Sequence, residues 1–193
     1  MNNLPILNCD FFREAKACYD PATVLGEDWN GTALDILDHP QISSDDKIWA
    51  VCSKGALPES VRWLMAVAFV RETPLHDGRN VVDLSTDERS LKALEVIELH
   101  ALGRATDGEL DAARGAAKDA AMDAAGDAAA TATWAAAGAG AGAAAGDAAW
   151  DAAGSAAAAG DAPGDAAGAA TWDAARDVQV EIARRVILPN RAK

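Results

Sequence analysis

An all-α fold is predicted by three features of this sequence. No stretch carries an alternating strand pattern above background. Two helix starts have capping-box spacing, Ser85 with Glu88 and Thr106 with Glu109, in which a hydroxyl residue is followed three positions later by glutamate. From Lys118 onward the chain is dominated by alanine, the residue with the highest helix propensity.

Taken in order, DFFREAKAC (Asp10 to Cys18) and TALDIL (Thr32 to Leu37) read as short helices. Ser44 stands ahead of DDKIWAVC in position to cap a third, and Pro5, Pro21, Pro40 and Pro58 punctuate between them. The run VRWLMAVAFV, residues 61–70, is apolar on nearly every face and follows Pro58, which a first helical turn tolerates. It is the expected central core helix. After a polar loop with Pro74, Gly78 and Asn80 comes LSTDERSLKALEVIELHALG, which Ser85 starts and Gly103 stops, with Leu91, Leu94, Val96, Ile97, Leu99 and Ala101 covering one side. The Thr106 box opens the next helix. The chain is therefore expected to divide into a helical globular domain, residues 1–103, and an alanine-rich helical region, residues 104–193.

The second region is built on a tetrapeptide of the form xDAA, read from Lys118 as KDAA, MDAA, GDAA and onward, with tryptophan always at x. Each internal glycine costs about 0.8–1 kcal/mol relative to alanine, so helices are expected to break at GAGAGAAAG (138–146) and at GDAPG (160–164). That leaves helices over about 107–137, 147–158 and 165–188, the last ended by Pro189. Four residues turn through about 400°, so a four-residue stripe drifts roughly 40° per repeat and keeps no fixed coiled-coil seam. Paired alanines allow close approach, which favours helices folded back as an antiparallel bundle or rod with the tryptophans supplying most of the burial. Val178, Ile182, Val186 and Ile187 form an apolar stripe expected to return to the main core. Two other readings remain open. GAGAGA is silk-like, although Asp at every fourth residue interrupts stacked sheets; low complexity and uniform charge also permit disorder, against which Trp134, Trp150 and Trp172 stand.

Charge and composition bound the function. The formal net charge of -13 disfavours direct contact with nucleic acid or an anionic membrane and favours a basic protein partner. Residues 119–175 carry eight Asp and no Lys or Arg. Cys9, Cys18 and Cys52 lack the paired short spacings of a zinc or redox site, and no basic leader or long apolar window occurs, so a soluble, cytoplasmic protein is expected. His39, His76 and His100 are scattered, Asp45 and Asp46 sit where acids favour a helix N-terminus, and no nucleophile-elbow, P-loop or dinucleotide motif is present. Neither an enzyme nor a cofactor is expected. A calcium repeat needs ligands at positions that alanine fills. As a DNA mimic the ladder is too dilute, about one charge per 10 Å where duplex DNA carries one per 1.7 Å. Thr131, Thr133 and Thr171 lack the regular spacing of an ice-binding face.

The segment LSTDERSLKALEVIELHALGRATDGELDAARGAAKDAA (84–121), followed by WDAA units, resembles a family of small phage and bacterial proteins described as immunity proteins. The likeness lies in the TDERS helix start, the ATxxELxAAR junction and the tail of alanine tetrapeptides, and spans roughly residues 45–177. It implies a non-enzymatic, phage- or prophage-encoded protein that acts in the host cytoplasm by binding another protein. This tail departs from the family in its high glycine content and few basic residues. The candidate partner-binding residues are Asp119, Asp123, Asp127, Asp147 and Asp151, with Trp134 and Trp150 as anchors, or alternatively as core residues of the rod. The expected activity is inhibition of a basic partner such as a toxin or a host defence complex. The alternative is a structural protein whose alanine faces close on a second copy as a homo-oligomer. A pocket joining His100 to several carboxylates would instead indicate an enzyme.

Overall fold

The computed structural model describes residues 4–75, 78–85, 87–123 and 165–190, and its architecture is all-α. One short antiparallel pair accompanies the helices: β1 (Leu7–Asn8) lies against β2 (Asn30–Gly31), with Leu7 opposite Gly31. Two-residue strands are too short to leave an alternating pattern. Gly31 has a steric reason, since a Cβ there would stand 2.5 Å from Cζ2 of the Trp29 indole.

Between these strands run α1 (Cys9–Glu14) and α2 (Ala22–Leu25). The first is shorter than the expected 10–18, because Asn8 caps it through the Phe11 N–H (2.9 Å) and Lys16 enters the left-handed region at φ 63°. In α3 (Ala33–Asp38) Thr32 forms a capping box with Asp35. For α4 (Ser44–Cys52) the cap is Ser43 and not Ser44: the Asp46 N–H donates to Ser43 Oγ at 3.1 Å, and the Ser43 hydroxyl donates to Asp46 Oδ2 at 2.8 Å. Ser44 is thereby released to donate to Asp177 at 2.5 Å.

Pro58 precedes α5 (Glu59–Glu72), whose residues Val61, Arg62, Trp63 and Met65 to Val70 are all buried. This is the expected core helix. A 3-10 turn (Val81–Leu84) follows, then α6 (Glu88–Ala101). Ser85 does not cap α6; it closes the 3-10 turn, and Asp87 takes the capping role by accepting the Arg89 N–H at 2.8 Å. Asp87 stands immediately before the helix, where its carboxylate reaches the first-turn donors directly, whereas Ser85 lies two residues further back. Gly103, at φ 70°, supplies the expected stop. The Thr106 and Glu109 box is present at the start of α7 (Asp107–Asp123). Residues 124–137 and 147–158, the rest of the expected first alanine helix and all of the second, lie outside the described residues. The final helix, α8 (Asp165–Asn190), carries Pro189 inside its last turn and extends slightly beyond the expected end at 188.

The packing crosses the expected division at 103/104. Leu110 of α7 and Val180, Ile182, Ala183 and Ile187 of α8 share one core cluster with Leu34, Leu37, Ile48, Val51 and most of α5, and Val178 and Val186 pack at its edge. Among the described residues the alanine-rich helices thus fold back onto the front half. α7 runs antiparallel to α6, with Ala93 against Ala113 and Ala117, while α8 packs against α3, α4 and α5.

The tetrapeptide repeat acquires a physical meaning here. Counting units as LDAA from Leu110 and WDAA from Trp172, the second position is exposed in every described unit: Asp111, Gly115, Asp119 and Asp123 in α7, and Asp173, Asp177, Glu181 and Arg185 in α8. The fourth position is buried at Ala113, Ala117, Ala175, Gln179, Ala183 and Ile187. Drift appears in the positions between. Along α7 the first position passes from buried Leu110 to exposed Met122, while the third passes from exposed Ala112 to buried Ala120. The buried arc is wide enough to hold the fourth position through this rotation, and alanine at both third and fourth positions lets the contact pass from one to the other.

This arrangement predicts opposite effects two residues apart. A Cβ at Gly115 would meet nothing within 4 Å, so Gly115→Ala should stabilise by about 1 kcal/mol through helix propensity. Ala117 is fully buried against α6, so Ala117→Leu should destabilise by about 1–3 kcal/mol through overpacking. Urea denaturation of the two variants reads both.

Candidate binding surface

Most of the described arginines pair with acids of the same chain. Arg13 pairs with Asp10, Asp20 and Glu27 at 2.9–3.0 Å, Arg89 with Asp87 (2.6 Å) and Asp123 (2.8 Å), Arg114 with Asp111 (3.1 Å), and Arg184 with Asp38 (2.7 Å). Arg71 pairs with Glu98 and Arg185 with Glu72. These carboxylates hold the Arg13 and Arg89 guanidiniums above their ordinary pKa, with the hydrogen bonds they donate to Glu27 and Asp87 the largest respective causes. Exposed pairs of this kind contribute at most about 1 kcal/mol each. Their larger effect is on the field: a chain with 17 basic and 30 acidic residues that neutralises its arginines locally leaves an acidic remainder facing solvent.

Of the candidate partner-binding residues, two are described. Asp119 is exposed at a second repeat position on α7. Asp123 is also exposed, but its carboxylate clasps Arg89 across the open end of the α6–α7 hairpin, away from the connecting loop, which gives it a structural partner within the chain. Asp127, Trp134, Asp147, Trp150 and Asp151 lie outside the described residues.

The sequence reading missed a polar latch on α8. Arg176 is only 5 % exposed; its Nε stands 2.6 Å from Asp45 Oδ1, and its guanidinium lies 4.8 Å over the Trp172 ring. Trp172 Nε1 donates to the same Asp45 oxygen at 3.3 Å. Arg176 also donates to Gln179 (2.8 Å), which donates to the Thr73 hydroxyl (3.1 Å), and both Gln179 and Thr73 are fully buried. Burial pulls the Arg176 pKa down while Asp45 opposes it. Asp45, expected only to favour the α4 dipole, therefore also anchors α8. Two hints were available: a carboxylate pair of which capping uses only Asp46, and a polar residue, Gln179, at a repeat position that is otherwise buried and apolar in the described units.

His100 lies edge-on to Trp63 at 5.8 Å, with Nδ1 3.3 Å from the Ala105 carbonyl oxygen and Nε2 3.9 Å from Asp107; Arg114 covers the Trp63 ring at 5.1 Å. This environment is a packed helix junction. Among the described residues no group of three His, Cys, Asp or Glu side chains could hold a metal, and no helix is long and apolar enough to cross a membrane. No disulfide joins the three cysteines, of which Cys9 and Cys52 are buried and Cys18 is exposed. Compared with known proteins, the chain matches no family model, no curated protein and no solved structure.

Two outcomes follow from these contacts. Asp45→Ala leaves the Arg176 charge buried without its carboxylate and should cost about 3 kcal/mol; adding Arg176→Met and Gln179→Leu should recover at least half of that, read by denaturant melts of the single and triple variants. On the α6–α7 hairpin, Arg89 lowers the Asp87 pKa, Lys92 lowers that of Glu95, and the Thr106 backbone N–H lowers that of Glu109, from ordinary values of 3.8, 4.5 and 4.5. Folded values below unfolded ones mean stability present above the unfolded pKa and lost as pH falls through the folded pKa. Melting temperature should therefore decline as pH drops below about 4.5, and Asp87→Asn with Glu109→Gln should flatten that decline.

Proposed function

We propose that this chain is a non-enzymatic acidic helical module that binds a basic protein and inhibits it, of the kind a phage or prophage directs at a toxin or host defence complex. The observation that carries the reading is the sorting of charge by the repeat: second positions face solvent in all described units, and acids occupy most of them. The described arginines meanwhile pair mostly with acids of the same chain. Such a surface steers a cationic partner and makes association fall with salt. The resemblance of residues 84–121 to immunity-like proteins agrees with this use.

A second reading, self-assembly, is favoured by the groove between α6 and α7, where Leu91, Val96, Ala112 and Ala116 line an apolar strip on the outer face.

Affinity capture from bacterial and phage-infected lysates at low and moderate salt separates the two. Inhibition requires a basic protein in stoichiometric amount that salt releases and that Asp→Asn changes at 119, 127, 147 and 151 weaken. Recovery of the chain alone, as a defined oligomer insensitive to those changes, would replace it with self-assembly.

A further inference from the structure

On the front half, away from the repeats, a small pocket opens between α1, α2, α3 and α4. Its walls are Phe12, Leu25, Ile36, Ile42 and neighbouring apolar atoms, and its mouth is flanked by Tyr19 and Trp49, which are 39 % and 38 % exposed. Among the described residues Asp46 is the one charged residue that lines it. The groove between α6 and α7 differs in this respect, because its rim carries Glu88, Glu95 and Glu109 beside Arg89 and Lys92.

Three properties narrow the occupant. Phe12 and Trp49 pack at 6.4 Å between ring centroids, so the Trp49 indole is braced from below. Asp46 is held by the Ser43 hydroxyl at 2.8 Å within a helix cap, which fixes the carboxylate without a cation. Burial, followed by the negative charge of Asp46, raises the Tyr19 pKa, so the phenol stays neutral and a potential donor. Aromatic side chains beside a carboxylate attract cations. The half-open hollow is about 20 Å³, room for about one water-sized group. An ammonium has that size; a planar guanidinium with three nitrogens does not.

We propose that this pocket receives a lysine side chain of the basic partner, its aliphatic stem lying between Tyr19 and Trp49 and its ammonium meeting Asp46. The proposal rests on the reading of the chain as a binder of basic protein and names one contact point for it. Lysine stems cover apolar surface while the head seeks charge, which matches an apolar mouth with a single acid.

The test is titration of the full chain with pentalysine at low salt, followed by the Trp49 indole resonance. Pentaarginine and Nε-acetylated pentalysine serve as comparison peptides, and Asp46→Asn, Tyr19→Leu, Trp49→Leu and Asp107→Asn as variants, Asp107 being an exposed acid at the start of α7, outside both the pocket and the candidate partner-binding residues. Asparagine keeps an acceptor for Ser43, and Tyr19→Leu leaves the α4 cap untouched. The expected result is a loss of about fivefold in affinity for each pocket variant, a change of less than about twofold for Asp107→Asn, and weaker binding of both comparison peptides. Equal weakening by Asp46→Asn and Asp107→Asn, with Tyr19→Leu and Trp49→Leu silent, would discard the pocket and leave the acidic-binder reading standing. No binding of pentalysine by the unaltered chain would discard both.

Discussion

A helix with no solvent-facing side must be covered on all of them, and α5 is such a helix. From Val61 to Val70 only Leu64 escapes full burial, so a coat of neighbouring helices is obligatory. The front half supplies only part of it, since α6 and the 3-10 turn pack closely on α5 while α3 and α4 pack chiefly with each other and with α8. The last helix completes the enclosure. α8 joins the α3–α4 layer to α5, and its Arg176, Asp177 and Arg184 reach Asp45, Ser44 and Asp38 on one side while Gln179 and Arg185 reach Thr73 and Glu72 on the other.

The same requirement accounts for the composition of the repeats. A helix that slots against existing layers has little room, and alanine at the fourth position gives a narrow contact edge while acids at the second keep the outer edge in water. Where the edge must also be specific, alanine is replaced. Gln179 and Arg176 introduce hydrogen bonds that only one placement of α8 can satisfy, a role buried polar groups serve at a cost in desolvation.

Much of this order was legible. Residues 61–70 announced the core helix by being apolar all round, the Thr106 box marked the start of α7 to the residue, and Val178, Ile182, Val186 and Ile187 marked the returning stripe. Capping was read less well, because Ser43 and Ser44, or Ser85 and Asp87, are equivalent in sequence and are told apart only by which oxygen reaches the first-turn amides. The latch and the pocket beside Asp46 were illegible for a different reason. Asp45 meets Arg176 across 131 positions, and Tyr19 and Trp49 come to line one pocket from separate elements, so each set looks like ordinary solvated surface until tertiary packing brings it together.

The interleaving of the core also sets an order of events during synthesis. Leu34, Leu37 and α5 complete their apolar contacts only when Val180 to Ile187 have left the ribosome, more than a hundred residues after Val70. Until then the growing chain holds a hydrophobic helix with part of its cover missing, and the long alanine-rich connection must pass before relief arrives. Its acidic side chains keep that waiting polypeptide apart from its neighbours by mutual repulsion. The negative charge that covers the finished molecule therefore also protects the unfinished one.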